Sequence, residues 1–348
     1  LTVTIREVAA RAGVSVGTVS NVLNGRGTVK ESIVQDVRDA IAALGYVRND
    51  AARQLRAGRS RVMGLVVLNV ANPFFAAVAR GAEARAADDG MVVLVGSSEQ
   101  VLEREETYLD LFREQRVSGI LVSPAAEDHT ALDALAASGI PVVLVDRERT
   151  EISPLLSVAV DDVEGGRLAV THLLQQGRRR IVFVGDPLTT RQVADRLEGA
   201  RRAVADYPDA ALEVIASTHM TVLAGRAVGE TLHERVHPAD AVFAANDLLA
   251  IGVMQALTMT GDLRVPDDIA LVGYDDIDFA AAAIVPLTSV RQPAELIGWT
   301  AADLALRQAQ GTLGAEELAV RFHPELIIRG STAASNTAPA VGSSPVPG

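Results

Sequence analysis

Two stretches place reactive side chains at spacings known from hydrolases. His233, Glu234 and His237 form H-E-x-x-H, which on a helix aims two imidazoles at one zinc ion. Pro238 follows at once, the segment LHERVHPAD is mostly polar, and no further Glu or His occurs before Glu295. A buried zinc helix needs the opposite, so the pair reads as a solvated helix end near the negative pole of the helix dipole. Gly13–Gly17, GVSVG, matches the G-x-S-x-G nucleophile elbow. That elbow needs a strand before it and Asp and His partners later in its domain. Here a helical pattern precedes it, and Ser15 reads as a helix cap. The chain has no G-x-G-x-x-G after a strand. A phosphate-binding G-K-[ST] is excluded, because Lys30 is the only lysine. The chain is therefore expected to be neither an enzyme nor a metal or cofactor carrier.

Polar residues that follow apolar runs offer a different chemistry. Asn72, Phe74 and Phe75 follow VMGLVVLNVA, Asp146 and Arg147 follow PVVLV, Asn246 and Asp247 follow AVFAA, and Asp275 and Asp276 follow IALVGY. Arg196 is expected at the head of a helix after RIVFVG. Carboxylates, amides, a guanidinium and aromatic faces suit a small polyhydroxylated ligand, with bidentate hydrogen bonds to vicinal hydroxyls and an apolar face for stacking. Asn72 before Pro73, and Asp276, read as structural.

These positions require a scaffold of buried strands. VMGLVVL, MVVLVG, GILVS, PVVLVD, SVAVD, RIVFVG, LEVIA, AVFAA and DIALVGYD read as strands buried on both faces. Between them run helical patterns such as FFAAVARGAEARAADDG and GGRLAVTHLLQQG. Alternating β and α segments with buried strands imply parallel sheets covered by helices. About ten strands exceed one typical sheet, so two doubly wound subdomains are expected, with ligand bound between them at the carboxyl ends of the strands.

The first sixty residues have another texture. Thr4 and Glu7 have capping-box spacing, and Ile5, Val8, Ala9 and Ala12 form one apolar stripe. Gly13 breaks that helix and Ser15 caps a second, whose Val19, Val22 and Leu23 face inward. Val16, Gly17, Thr18 and Asn21 turn outward. This is a helix-turn-helix, whose second helix enters a DNA major groove by its N-terminal end. Thr28 and Glu31 repeat the capping-box spacing before a longer amphipathic helix that Gly45 stops. Asn49–Gly58 reads as a two-turn helix, too short to be stable without a partner surface.

Charge supports this division. The 348-residue chain carries a net −12. Residues 1–61 hold ten basic and five acidic side chains, about +5, which leaves about −17 for the rest. A basic head on an acidic body is the footprint of a DNA reader with a separate sensor. The chain contains no cysteine, no apolar run long enough to span a membrane, and no signal-peptide layout at its start. A cytoplasmic protein without membrane contact is expected.

The stretch TIREVAARAGVSVGTVSNVLNG, then AIAALGYVRN, AARQLRAGRS, NPFF, DR, AAND and VGYDD, resembles the LacI/GalR (lac repressor/galactose repressor) family of bacterial transcription regulators over about residues 2–330. The resemblance implies an all-α helix-turn-helix DNA-binding domain at 1–48 and a hinge helix at 49–60. It also implies an α/β periplasmic-binding-protein-like sensor at 61–330. The sensor's N-subdomain would span about 61–160 and 291–320, and its C-subdomain about 161–290 and 321–330. The Ser/Ala/Pro-rich segment 331–348 reads as a disordered tail. The resemblance further implies a homodimer on a pseudo-palindromic operator in double-stranded DNA, with Leu55 wedged into the minor groove.

The DNA-contacting set is then Thr4, Ser15, Val16, Gly17, Thr18, Ser20, Asn21 and Asn24 in the head, with Arg53, Leu55 and Arg56 in the hinge. Asn21 suits adenine and Val16 a thymine methyl, while Thr18 and Asn24 suit phosphates. The effector set is Phe74, Phe75, Arg147, Arg196, Asn246 and Asp275, and the effector a sugar or sugar derivative. Trp299 is expected in the core or on a dimer surface. A solute-binding protein of a transport system would share the body, but it would need an export signal and no basic head.

Overall fold

The computed structural model describes residues 3–25, 29–46, 60–150, 153–186, 190–217, 219–232, 238–260, 263–314 and 317–332. The hinge residues Arg53, Leu55 and Arg56, the HERVH segment and the expected tail beyond Thr332 lie outside the described residues, as does the side chain of Asn24. Ser331 and Thr332, expected to open the disordered tail, are instead buried and hydrogen-bonded to Leu271 and Thr288. The chain divides into two compact units, Leu1–Arg59 and Ser60–Gly348.

Among its described residues the first unit holds three helices, α1 (Ile5–Arg11), α2 (Val16–Asn24) and α3 (Glu31–Leu44). Val8, Ala9, Val19, Val37 and Ala40 are buried at its centre, one or two from each helix, and Ile5, Val22, Leu23, Ile33 and Ile41 pack around them. At about 1.5–3 kcal/mol for each large apolar side chain buried, this small set suffices only because all three helices share it. Gly13 (φ +64°) supplies the left-handed residue that ends α1 and lets Ser15 start α2. Thr28, the expected partner of Glu31 in a second capping box, lies outside the described residues. The cap of α3 is Lys30, without a side-chain hydrogen bond, so Glu31 is the first helical residue and too early to reach back.

The second unit alternates strands and helices. In chain order they are β1 (Val62–Val67), α4 (Pro73–Asp88), β2 (Val92–Ser97), α5 (Leu102–Glu114), β3 (Ile120–Val122), α6 (Thr130–Ala137), β4 (Val142–Val145), β5 (Leu156–Val160), α7 (Asp162–Gln175), β6 (Arg180–Val184), α8 (Arg191–Ala205) and β7 (Ala211–Ile215). There follow α9 (Val222–Thr231), β8 (Ala241–Ala244), α10 (Asp247–Thr260), β9 (Ala270–Asp275), α11 (Asp278–Ala281), β10 (Thr288–Arg291), α12 (Ala294–Gln310), β11 (Ala319–Phe322) and β12 (Glu325–Ile327). Two six-stranded sheets result, ordered β11-β5-β4-β3-β1-β2 and β12-β10-β9-β8-β6-β7. The first is parallel throughout; in the second, only β12 runs antiparallel, against β10.

Three sequence expectations need correction here. Twelve strands occur among the described residues rather than about ten, because β10 (TSVR), β11 (AVRF) and β12 (ELI) lack an unbroken apolar run. Arg321, expected to open the last crossing, lies inside β11 and pairs with Ala159, so the chain crosses between Phe322 and Glu325. The segments MVVLVG and LEVIA are not buried on both faces. They form the edge strands β2 and β7, where Val92, Leu94, Val95 and Val214 are exposed.

The helices meet in pairs through glycine. A Cβ on Gly81 of α4 would lie 1.9 Å from the Glu295 carbonyl oxygen, and one on Gly298 of α12 would lie 1.9 Å from that of Val78. Gly166 of α7 and Gly199 of α8 repeat the arrangement against Arg196 and Val163. The second pair matters for function, because it presses the backbone of Arg196 onto the start of α7. Each pair then covers its sheet, whose strand ends carry the polar residues of the cleft.

Candidate DNA interface and effector cleft

In the head, Thr4 is committed to its own helix. Its backbone N–H and its hydroxyl both donate to the Glu7 carboxylate, at 2.7 and 2.8 Å, and its hydroxyl oxygen accepts from the Glu7 N–H. These bonds hold the Glu7 carboxyl below the usual range. Ser15 caps α2 by accepting from the Thr18 N–H at 3.0 Å, and its hydroxyl also meets the Thr18 hydroxyl at 2.9 Å. The turn thus leaves Val16, Gly17 and Asn21 exposed along one side of α2, while Thr18 and Ser20 are half-buried. A helix start with exposed small and amide side chains has the shape and dipole to approach a phosphate-lined groove.

In the body, the strand ends of the two sheets converge on a cavity of about 520 Å³. Leu68, Asn69, Asn72, Phe74, Phe75, Gln100 and Asp146 line it from the first sheet's side, and Thr190, Gln192, Val193, Arg196, Met220, Asn246 and Asp275 from the second's. Phe74 and Phe75 pack edge to face, 5.0 Å between centroids, in the first turn of α4. Asn72 caps that helix through the Phe74 N–H, and its amide nitrogen donates across the cleft to Asp275 at 3.2 Å. Asn246 likewise caps α10, accepting from the Leu249 N–H at 2.9 Å. Its side-chain nitrogen donates to the Met220 carbonyl. Two more bonds cross the cleft. The Thr190 hydroxyl donates to Gln100 at 2.9 Å, and the Gln192 amide donates to the carbonyl and carboxylate of Asp146.

Arg196 is the charge centre. It sits in the second turn of α8 rather than at the helix head, with its guanidinium over the Tyr274 ring at 3.7 Å from the centroid. Its Nε donates to Asp162 at 2.8 Å, one terminal nitrogen donates to the Ala245 carbonyl, and that nitrogen lies 3.8 Å from Asp275. Burial alone would lower its pKa, but Asp162, Tyr274 and Asp275 raise it, so it stays charged. Burial pushes the Asp275 carboxyl up to about 6, opposed by Arg196 and by hydrogen bonds from Asn72 and Gln292. Asp146 is raised well above the usual carboxylate range, first by burial and then by Asp162. Asp146 and Asp275 both hold left-handed backbone, φ +56° and +102°, which turns their side chains out of the strand direction.

Five of the six expected effector residues therefore meet in one cavity, and Arg147 does not. It is buried beside a neighbouring cavity, paired with Glu127 at 2.5 Å. Asp276 is structural as expected: Arg291 and Arg329 bridge it at 2.7 and 2.6 Å. Trp299 is 40% exposed beside Arg85 and is not a core residue.

The head and part of the body match two family models. One is the lacI family of bacterial regulatory proteins, over residues 4–49, and the other a periplasmic binding protein-like domain, over residues 170–332. The chain is 33% identical to the HTH-type transcriptional regulator DegA of Bacillus subtilis, over 96% of this chain and 99% of that one. The chain belongs to the lacI family of bacterial regulatory proteins. A lac repressor dimer solved with operator and the anti-inducer ONPF matches with a TM-score of 0.80 at 30% identity, covering 96% of this chain and 100% of that one. A LacI family regulator from Enterococcus faecium with bound ribose matches with a TM-score of 0.71 at 28% identity, covering 78% and 98%.

Within this lacI-family chain, sequence reasoning passed over Gln100, Thr190 and Gln192, which line the cleft and bridge its two sides. No strand ends at them directly: Gln100 follows β2 by three residues, and the other two open α8. Asp146 was visible as a strand-end carboxylate but carries no special spacing. Asp162 and Tyr274 stand behind the cavity and hold Arg196 in place.

Proposed function

We propose that this chain is a homodimeric transcriptional repressor. Its affinity for a pseudo-palindromic operator would be set by a small sugar or sugar derivative bound between the two lobes of the body. One observation carries the reading: a single chain joins an exposed helix-turn-helix reading face to a body with a polar, aromatic-walled cleft. A solute-binding protein has no use for the head. The relatives are regulators rather than enzymes. The lac repressor relative is a dimer on its operator, and the E. faecium relative holds ribose. Both support carrying those partners over to this chain. Such a regulator works in the cytoplasm, where the chromosome is. No helix among the described residues is long and apolar enough to cross a membrane.

The dimer has candidate surface as well. Leu223, Met259, Phe279 and Ile284 are 59–78% exposed on the second lobe, and Val92, Leu94 and Val95 are exposed on the edge strand of the first. These exposed apolar side chains are candidates for the surface that a second copy would cover. The ligand acts through its differential affinity for the DNA-competent and DNA-released states.

The deciding experiment is genomic selection. Purified protein is bound to sheared DNA of the source organism at near-physiological salt, with and without small-molecule extract, and the retained DNA is sequenced. Recovery of a few pseudo-palindromic sites, altered by the extract, supports the reading. Uniform retention in both conditions defeats it.

A further inference from the structure

We propose that the inner cleft takes a single-ring, uncharged, hydroxyl-rich ligand and rejects its phosphorylated and carboxylated counterparts. This assignment rests on the effector-cleft reading above and narrows its chemistry.

Among the described residues lining the cavity, Arg196 alone is cationic, and it is engaged by Asp162, the Ala245 carbonyl and the face of Tyr274. Asp146 and Asp275 line the same space. Three carboxylates thus surround one guanidinium, and burial has already raised both cavity carboxyls above their usual range. A buried anionic ligand would add a further unpaired charge to a site short of positive charge.

The hydrogen-bond inventory points the same way. Gln192 spends its amide nitrogen on Asp146, and Asn72 and Asn246 each donate once within the protein, so what the cavity has left to donate is neutral amide N–H rather than a second cation. An acceptor also stands ready: Asp146 Oδ1 is fully buried and has no partner. A ligand hydroxyl donating to it would remove the cost of leaving that oxygen unsatisfied. A phosphate ester or carboxylate brings more acceptors and would meet oxygen against oxygen.

Size follows from the wall. Leu68, Gln100, Thr190 and Gln192 line both the inner cavity and the neighbouring space of about 460 Å³ that holds Arg147, Glu127 and Arg191. They are therefore the partition between the two. The Thr190–Gln100 and Gln192–Asp146 hydrogen bonds hold it shut. A second ring, or an anion seeking Arg147, would have to break both bonds and displace Glu127 from Arg147.

The test is calorimetric titration of the full chain with D-ribose, D-xylose, D-glucose, D-galactose and D-mannose. D-ribose 5-phosphate, D-glucose 6-phosphate, D-galacturonate and cellobiose form the comparison set. At least one neutral monosaccharide is expected to bind, with the comparison compounds at least 100-fold weaker. Asp146→Asn keeps the left-handed backbone accessible but replaces an acceptor with a donor. It should weaken the neutral sugar at least tenfold and narrow the discrimination against phosphate, which a merely structural loss would leave unchanged. A phosphorylated sugar or cellobiose binding as tightly as any single neutral ring overturns the assignment, and so does failure of every neutral monosaccharide to bind. Genomic selection is read separately: operators recovered alongside the wrong ligand class overturn only the chemistry proposed here, while absence of operators overturns the regulatory reading.

Discussion

The head and the body use polar side chains in opposite ways. On α2, Val16, Gly17 and Asn21 stand exposed, and the turn's own hydrogen bonds are closed among Ser15, Thr18, Thr4 and Glu7. In the cleft, Arg196, Asn246 and Asp275 are buried, and each already has a partner. A DNA reader meets a partner that is already polar and hydrated, so its contact residues need no prior satisfaction. A sensor site sits inside a protein core, where an unsatisfied charge costs several kcal/mol, so most of its polar atoms are paired before any ligand arrives, and Asp146 Oδ1 stands out as the exception. Removing a side chain from the body should therefore cost stability first, whereas removing one from the head's outer face should cost only DNA binding.

The sharpest way to break that contrast is Arg196→Met. It leaves Asp162, Asp146 and Asp275 buried without their cation, and losing one partner of such a cluster costs about 3–5 kcal/mol. Urea unfolding of the body at neutral pH should show that loss, and acidification should recover part of it as the carboxylates protonate. A loss under about 1 kcal/mol would mean the cluster is hydrated and the cleft is not the dry site described.

Asp275 gives a smaller, signed effect. Its carboxyl is near 6 in the folded chain against about 3.9 unfolded, so the folded state favours the proton. Stability from this group is fully present below about pH 4 and falls as pH rises toward 6, by roughly 2–3 kcal/mol in all. The difference in unfolding free energy between wild type and Asp275→Asn, followed from pH 4 to 7, should trace that slope. A flat difference would place Asp275 in water.

How far these sites were legible follows from the same contrast. The head could be read from sequence because its signals are local: Thr4 with Glu7, Gly13, and Ser15 before an apolar stripe each act within one turn of chain. The strand-end residues could be read because apolar runs of five or six residues announce their ends. Arg147 and Arg196 look alike at that level. Only the third dimension shows that one turns toward Glu127 and the other into the cleft. Gln100, Thr190 and Gln192 were invisible for the same reason, since Thr190 meets Gln100 ninety residues away and Gln192 meets Asp146 forty-six residues away. β10, β11 and β12 escaped because TSVR, AVRF and ELI lack the unbroken apolar run that let the equally short β3, β4 and β8 be read.

On the DNA side, Leu55→Ala should weaken specific operator binding by about 1–3 kcal/mol with little change on nonspecific DNA. Equal losses on both would remove the wedge from the argument. Asn21→Ala should cost about 1–3 kcal/mol on the cognate site and leave the melting of the head unchanged, because Asn21 is exposed. Titrations on cognate and scrambled duplexes separate these outcomes.

The smallest effect is the most discriminating, because Ser15 belongs to both sides of the comparison. It is an exposed residue on the reading face, yet its hydroxyl oxygen is spent on the Thr18 N–H. If capping is its whole role, Ser15→Ala should cost the head about 1 kcal/mol of stability. Ser15→Asp, which keeps a capping acceptor, should restore that loss. If the hydroxyl also meets a phosphate, Ser15→Asp should restore stability but not DNA affinity, since the new carboxylate would face the DNA backbone. Thermal unfolding and operator titration of the two variants, measured together, distinguish a residue that only shapes the reading helix from one that touches what the helix reads.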